Sequence, residues 1–344
     1  MNIKDLAQHL GLSIGTVSRA LNGKPDVNAQ TRARVLGRAR VLGAASQLGY
    51  RPNASGRSLR RGSTQTVAFV METGRADVRG DNFFVRIIDA MQDRLAAEDH
   101  DLIVLPSNSA NDPTGFLRRT IARGIADAIV VTATQAHDPR IALLLDSRMP
   151  FLSFGRSQIA GSFAWIDLDF EGFLREAMAG LAALGHRRIA VSTPQGPSNI
   201  GVLMQATCRE VCARLGLDSD PTLIVATESH EYGGNLVTRQ LLDRPDPPTA
   251  VILHYEMMAF GAYSALRDAG LSPGTDMSIV TMRRSRQLHF LDPPVSACEI
   301  DVVGLGRRLA DETLRVIRAD DPPAQLLWPA RPILTDSVAP PRTR

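Results

Sequence analysis

From Thr66 onward, short apolar runs alternate with amphipathic stretches, and this alternation constrains the fold more than any other property of the chain. The runs are VAFVM (67–71), LIVLP (102–106), AIVVTA (128–133), FLSF (151–154), IAVST (189–193), TLIVAT (222–227), AVILHY (250–255) and MSIVTM (277–282). Runs this continuously apolar suit strands buried on both faces, as in parallel sheets flanked by helices. Two successive sets of about four βα units predict two doubly wound lobes with a ligand cleft between them.

Residues 3–23, IKDLAQHLGLSIGTVSRALNG, have a different texture. Leu6, Ala7 and Leu10 recur at helical spacing, and Gly11 ends that helix. Ser13 is a natural N-cap for a second helix that turns Val17, Ala20 and Leu21 inward. Asn22 and Gly23 close it, and Asn28 can cap a third helix from about Ala29. Two short helices joined by a tight glycine-containing turn, with a third in support, describe a helix-turn-helix. The charge follows the same division. Through Gly62 the chain carries 11 Lys and Arg against 2 Asp, a net of +9, which leaves −6 on the remainder. A basic head on an acidic body points to a polyanion as partner of the head alone. The intervening ASGRSLRRGST (54–64) is short, basic and glycine-containing, which suits a linker that is helical only when supported.

Several function classes drop out. No apolar run approaches the ~18 residues needed to span a bilayer. Met1 to Asp5 lack the apolar core of a signal peptide, so a cytoplasmic location and no membrane partner are expected. Cys208, Cys212 and Cys298 form neither a metal-ligand pattern nor an even-numbered disulfide framework, and buried free thiols are expected. No Gly-rich nucleotide fingerprint follows the first strand, and Asp167 with His186 is no catalytic constellation. Neither an enzyme, nor a cofactor, nor a metal site is expected.

Along essentially its whole length the chain resembles the LacI/GalR family of bacterial transcription repressors. The resemblance is carried by residues 3–23, by LGYRPN (48–53) and by RSLRRG (57–62). Further along it rests on DNFF (81–84), LGHRRI (184–189), DPPTAV (246–251), FGAYSALRDAGL (260–271), LDPPVS (291–296) and SVAPP (337–341). It implies an α plus α/β architecture. A three-helix helix-turn-helix domain would occupy 1–50, a hinge 51–64, and a two-lobed, doubly wound, periplasmic-binding-protein-like sensor 65–338. Lobe 1 would span about 66–167 plus 296–330, and lobe 2 about 168–295. The implied function is sequence-specific DNA-binding repression of a carbohydrate-uptake or catabolic operon. The partners would be double-stranded operator DNA, a small-molecule effector (a sugar or sugar derivative) and a second copy in a homodimer. An exported sugar-binding protein would share the body, but the basic head opposes it. A repressor controlled by a protein partner stays open.

Residue roles follow from the same resemblance. Ile14, Gly15 and Arg19 would face base edges at the start of the recognition helix. Arg19 could bond two acceptors on guanine, worth ~1–3 kcal/mol of discrimination. Ser13, Thr16, Ser18, Asn22, Asn28, Tyr50 and Asn53 match positions that bond phosphates, and Leu59 matches a leucine wedged into the minor groove. In the sensor, Phe83 and Phe84 match an aromatic element at the cleft, and Arg156 and Asp167 are the polar candidates. Three usual anchors are replaced: Met204 stands for an arginine, Tyr255 and Glu256 for an Asn-Asp pair, and Met282-Arg283-Arg284 for a Phe-Asp-Asp turn. Effector contacts are thus expected from Phe84, Arg156, Asp167, Met204, Tyr255 and Arg283. The altered charge suggests a ligand with an acidic group, or a disaccharide posed against Trp165 and Tyr255. A sensor without a ligand also stays open. The FGRS (154–157) and WIDLD (165–169) texture resembles alpha-proteobacterial repressors of α-glucoside operons.

The hexapeptide RARVLG occurs twice in succession, at 32–37 and 38–43. Six extra helical residues add roughly 9 Å of rise, so Val35-Leu36 and Val41-Leu42 cannot share one place in a small core. The first copy, continuous with Asn28, is expected to keep it.

Overall fold

The computed structural model describes residues 4, 7–8, 11–21, 24, 27–33, 35, 63–72, 82–108, 112–320 and 322–342. The expectations for Leu6, Leu10, Asn22, Tyr50, Asn53, Leu59 and the second RARVLG copy fall outside them. The chain divides into two units, Met1–Ser63 and Thr64–Arg344.

In the first unit, helix α1 (Ile14–Leu21) is the second helix expected. The preceding turn closes with Leu12 N–H donating to the Ala7 carbonyl at 3.0 Å. Gly11 sits there at φ 61°, a left-handed conformation that glycine adopts without a Cβ penalty. Ser13 Oγ accepts from the Thr16 amide at 3.1 Å, and Asn28 Oδ1 from the Thr31 amide at 2.7 Å, so both caps form as expected. Ala7, Val17, Ala20, Val27 and Val35 make the small core. Val35, in the first RARVLG copy, is fully buried there.

The second unit holds two six-stranded sheets. One contains β1 (Thr66–Glu72), β2 (Asp101–Ser107), β3 (Ala128–Val131), β4 (Phe151–Phe154), β5 (Ala164–Leu168) and β11 (Gln325–Trp328), all parallel, in the order β11-β5-β4-β3-β1-β2. The other contains β6 (Ile189–Pro194), β7 (Ile224–Thr227), β8 (Ala250–Leu253), β9 (Ser278–Thr281), β10 (Ser296–Glu299) and β12 (Arg331–Ile333), in the order β12-β10-β9-β8-β6-β7, with β12 alone antiparallel. Residues of β3, β4, β8 and β9 are buried throughout, because helices cover both faces.

On the first sheet α2 (Asn82–Ala96) and α9 (Val302–Ile317) cover one face, and α3 (Gly115–Arg123) and α4 (Pro139–Ser147) the other. Gly306 lets α9 approach α2 closely: a Cβ there would lie 2.7 Å from that of Ala90. On the second sheet α5 (Phe170–Ala183) and α6 (Asn199–Leu215) face α7 (Glu231–Leu242) and α8 (Met258–Asp268) across the strands.

The expected lobe boundary needs correction. Residues 296–299 pair in parallel with β9, so they belong to lobe 2, and the chain returns to lobe 1 only with α9. It then leaves lobe 1 again after β11 to add β12 to the second sheet. The chain crosses between lobes three times, after β5, after β10 and after β11.

Candidate functional site

On the first unit, α1 exposes Ile14 (45%), Gly15 and Arg19. Its first turn carries no acidic residue, so the positive end of the helix is available to an anion. Ser13, Thr16 and Asn28 lie at the two helix starts, where capping and phosphate binding can share one hydroxyl or amide. Ser18 departs from expectation. It is buried among the residues that hold α1 in place, which removes it from the exposed face.

In the second unit, a cavity of about 210 Å³ opens between the lobes. Its polar wall is built at the carboxyl ends of strands, where parallel sheets place their ligands. Lobe 1 contributes Glu72 from β1, Thr134 after β3, Gly155 after β4 and Asp167 from β5. Lobe 2 contributes Gln195 after β6, Ser229 after β7, His254 and Tyr255 after β8, and Arg283 after β9. Phe83, Phe84 and Phe154 form an aromatic wall, with ring centroids 5.6 Å apart for the first pair and 6.2 Å for Phe84 and Phe154.

Phe84, Asp167, Tyr255 and Arg283 therefore line the cleft, as expected from the sequence. Arg156 stands behind Asp167. Its Nε donates to Asp167 Oδ2 at 2.9 Å, its Nη2 bonds Glu171, and its guanidinium lies 5.6 Å from the Trp165 ring. It orients the carboxylate without lining the cavity, and neither does Trp165. Burial pushes the Asp167 carboxyl up, against the hydrogen bond and charge of Arg156. Met204 is a correction: it is buried in the lobe 2 core with Cys208 and Val211. These residues are four and seven positions apart and share the helix face turned to the sheet. All three cysteines are buried and free.

Arg283 does not give the cleft an open positive charge. Its Nε donates to the buried Glu256 at 2.8 Å, and its guanidinium lies 4.7 Å from the Phe83 ring centroid and 4.9 Å from that of Tyr255. The polar groups of Ser192, Asn199, Ser229 and His254 escaped the sequence reading because they come from separate segments of lobe 2. His254 is hydrogen-bonded on both ring nitrogens, to Ser192 Oγ and Ser229 Oγ at 2.8 Å each. Asn199, 3% exposed, has no partner for Oδ1.

Burial, with the charge of Arg283 second, pushes His254 down to about 3. The unfolded chain, with its His near 6.5, then binds more protons than the folded one between these values. Stability is present above pH 6.5 and is lost as pH falls toward 3. From pH 7.5 to 5.0 the His254 contribution is about 2 kcal/mol. Urea unfolding at the two pH values is expected to show that loss, reduced in a His254→Gln variant. Equal losses in both proteins would remove His254 as the cause.

Among the described residues no helix is long and apolar enough to cross a membrane, and no group of three or more His, Cys, Asp or Glu could hold a metal ion.

Residues 2–53 match the model of bacterial regulatory proteins, lacI family, and residues 178–338 match the periplasmic binding protein-like domain. The HTH-type transcriptional regulator AglR of Rhizobium meliloti (strain 1021) is 33% identical over 99% of this chain and 95% of its own length. The solved complex of the transcriptional regulator CelR with cellobiose is 25% identical, covers 97% of this chain and 99% of its own, and superposes with a TM-score of 0.73. The Lac repressor dimer bound to operator and the anti-inducer ONPF, 21% identical over 97% of this chain and 98% of its own, shares the fold at a TM-score of 0.83.

Proposed function

This chain belongs to the lacI family of bacterial regulatory proteins and is a DNA-binding transcriptional regulator, not an enzyme; on that premise we propose that it represses a carbohydrate-uptake or catabolic operon under control of a neutral, hydroxyl-rich sugar held between its lobes. The observation that carries this reading is the electrostatics of the cleft. Arg283 is engaged by Glu256, His254 is neutral at physiological pH, and Glu72 and Asp167 present carboxylates. Among the described residues lining the cavity the only arginine or lysine is Arg283, already engaged by Glu256, so an acidic ligand would meet these carboxylates without an open cation from those residues. A sugar offers hydroxyls to the carboxylates and an apolar ring face to Phe83, Phe84 and Tyr255. Cellobiose, found with the CelR relative, is such a molecule.

The DNA-reading surface is the exposed start of α1, with Ile14, Gly15 and Arg19 against base edges and Ser13, Thr16 and Asn28 against phosphates. A two-fold homodimer through the sensor lobes would match a pseudo-palindromic operator.

Site selection from a random duplex library is expected to return two half-sites related by a dyad. Arg19→Ala should relax the choice at one base per half-site, by ~1–3 kcal/mol. Neutral disaccharides should release the operator from the native protein. They should fail to release it from Asp167→Ala, which still binds DNA. Selection of an unordered pool, or unchanged preference in Arg19→Ala, would misplace the recognition helix. Normal release in Asp167→Ala would remove that residue from the site.

A further inference from the structure

The Ser192–His254–Ser229 chain has a direction, and the direction fixes what lobe 2 offers a ligand. The backbone N–H of His254 donates to Ser192 Oγ at 3.0 Å, so that oxygen already accepts one bond. The single hydroxyl proton of Ser192 has two places to go: His254 Nδ1 at 2.8 Å, or the Met258 thioether at 4.0 Å. Ser192 Oγ could also accept from a ring N–H, but its own proton would then have only the distant, weakly accepting thioether, which favours donation to Nδ1. His254 Nδ1 is then the acceptor, and the neutral ring carries its proton on Nε2 and donates it to Ser229 Oγ at 2.8 Å. Ser229, buried at the cleft wall, has no other hydrogen-bond partner among the described residues. Its own proton is left to point into the cavity.

Asn199 lines the same cavity with the opposite need. Its Oδ1 is buried and accepts from no donor among the described residues, a need that a ligand hydroxyl can meet.

Building on the effector reading above, we propose that Ser229 is the donor, and Asn199 the acceptor, by which lobe 2 recognises hydroxyl groups of a sugar, with Ser192 and His254 as positioning residues that hold Ser229 in the donor role. A hydroxyl can accept from Ser229 while donating to an acceptor such as Asn199 Oδ1. A carboxylate or phosphate can use Ser229 but leaves Asn199 unsatisfied. The wall therefore selects polyols over anions through hydrogen-bond polarity, without a charge. A site built to hydrogen-bond a hydroxyl discriminates strongly against a ligand lacking it.

The test has two arms on the full chain. In the first, the ¹⁵N signals of His254 in histidine-labelled protein, assigned by comparison with His254→Gln, report the tautomer without any ligand. A proton on Nε2 is expected. A proton on Nδ1 would make Ser229 an acceptor and overturn the proposal. In the second, calorimetry with sucrose, maltose and cellobiose identifies a binder, and the variants are titrated with it. Ser229→Ala and Asn199→Ala should each weaken that sugar tenfold or more, Asn199→Ala without lowering the melting temperature, while Ser229→Thr, which keeps both the hydroxyl and the partner of His254, should bind within threefold of the native protein. Native affinity in both alanine variants would overturn the proposal. Binding by galacturonate or glucose 6-phosphate, with none of the neutral sugars binding, would instead overturn the neutral-sugar reading itself.

Discussion

A chain lacking residues 1–62 is expected to bind no operator DNA while its sensor body melts as a cooperative unit. The charge division makes the loss complete. The removed segment carries +9 and the remainder −6, so the body repels the polyanion that the head attracts. Neutralising six to ten phosphates with those basic residues would make the intact protein lose about 10³ to 10⁵ in affinity between 50 and 200 mM salt. The truncated body has no such term to lose. Its own start is secured locally. The backbone amides of Thr64 and Gln65 donate to Asp127 at 2.7 and 2.8 Å, which fixes the entry to β1 without help from the head. Fluorescence anisotropy with the selected operator and a thermal melt of the truncated protein provide the check. Retained operator affinity, or a body without a cooperative transition, would show that the two units do not divide the work this way.

How much of this was legible beforehand depends on how local the signal is. The caps at Ser13 and Asn28, the glycine turn and the apolar strands are written in consecutive residues, and they formed where the sequence placed them. The place of Val35 in the head core also followed from continuity with Asn28. The lobe boundary did not follow, because nothing within 296–299 or 325–333 says which sheet edge each strand will join. Met204 was misjudged by aligning its position and ignoring its helix face, although Cys208 and Val211 at helical spacing marked that face as core. Arg283 looked like a free cation because its partner, Glu256, lies 27 residues away, at the end of the neighbouring strand. The Ser192–His254–Ser229 chain spans 62 residues of sequence and has no local signature. Cleft chemistry of this kind is assembled by strand order, which sequence periodicity does not encode.

The largest stability change expected in the sensor comes from a residue outside the cleft. Arg140 is 3% exposed at the start of α4, beside Asp138 at 0% and Glu72 at 3%. Its Nε and Nη2 donate to the two oxygens of Asp138 at 3.0 and 2.7 Å, and Nη2 also reaches the carbonyls of Thr132 and Ala133 at 3.0 and 3.1 Å. Nη1 lies 3.7 Å from Glu72. Burial alone would lift the Asp138 carboxyl. The hydrogen bonds and charge of Arg140, with the Gln135 and Arg140 amides, outweigh it and hold the group below the usual carboxylate range. One guanidinium thus serves two buried acids and the loop that carries Thr134 to the cavity wall. Arg140→Met keeps much of the volume and removes the charge, leaving both carboxylates uncompensated, a change that costs about 3–5 kcal/mol. The melting temperature should fall by roughly 6–15 °C. The pH dependence tells this cause apart from a packing defect. In the native protein the depressed Asp138 contributes stability above its unfolded value near 3.9, and that contribution is lost as pH falls through its lower folded value. In Arg140→Met only the two backbone amides still oppose burial, the carboxyl titrates higher, and acidification from pH 7 toward 5 should recover part of the deficit. Adding Asp138→Asn should recover part of it at pH 7. A melting point within 2 °C of the native protein, or a deficit that neither acid nor Asp138→Asn reduces, would mean that the cluster is held by packing and not by the arginine charge.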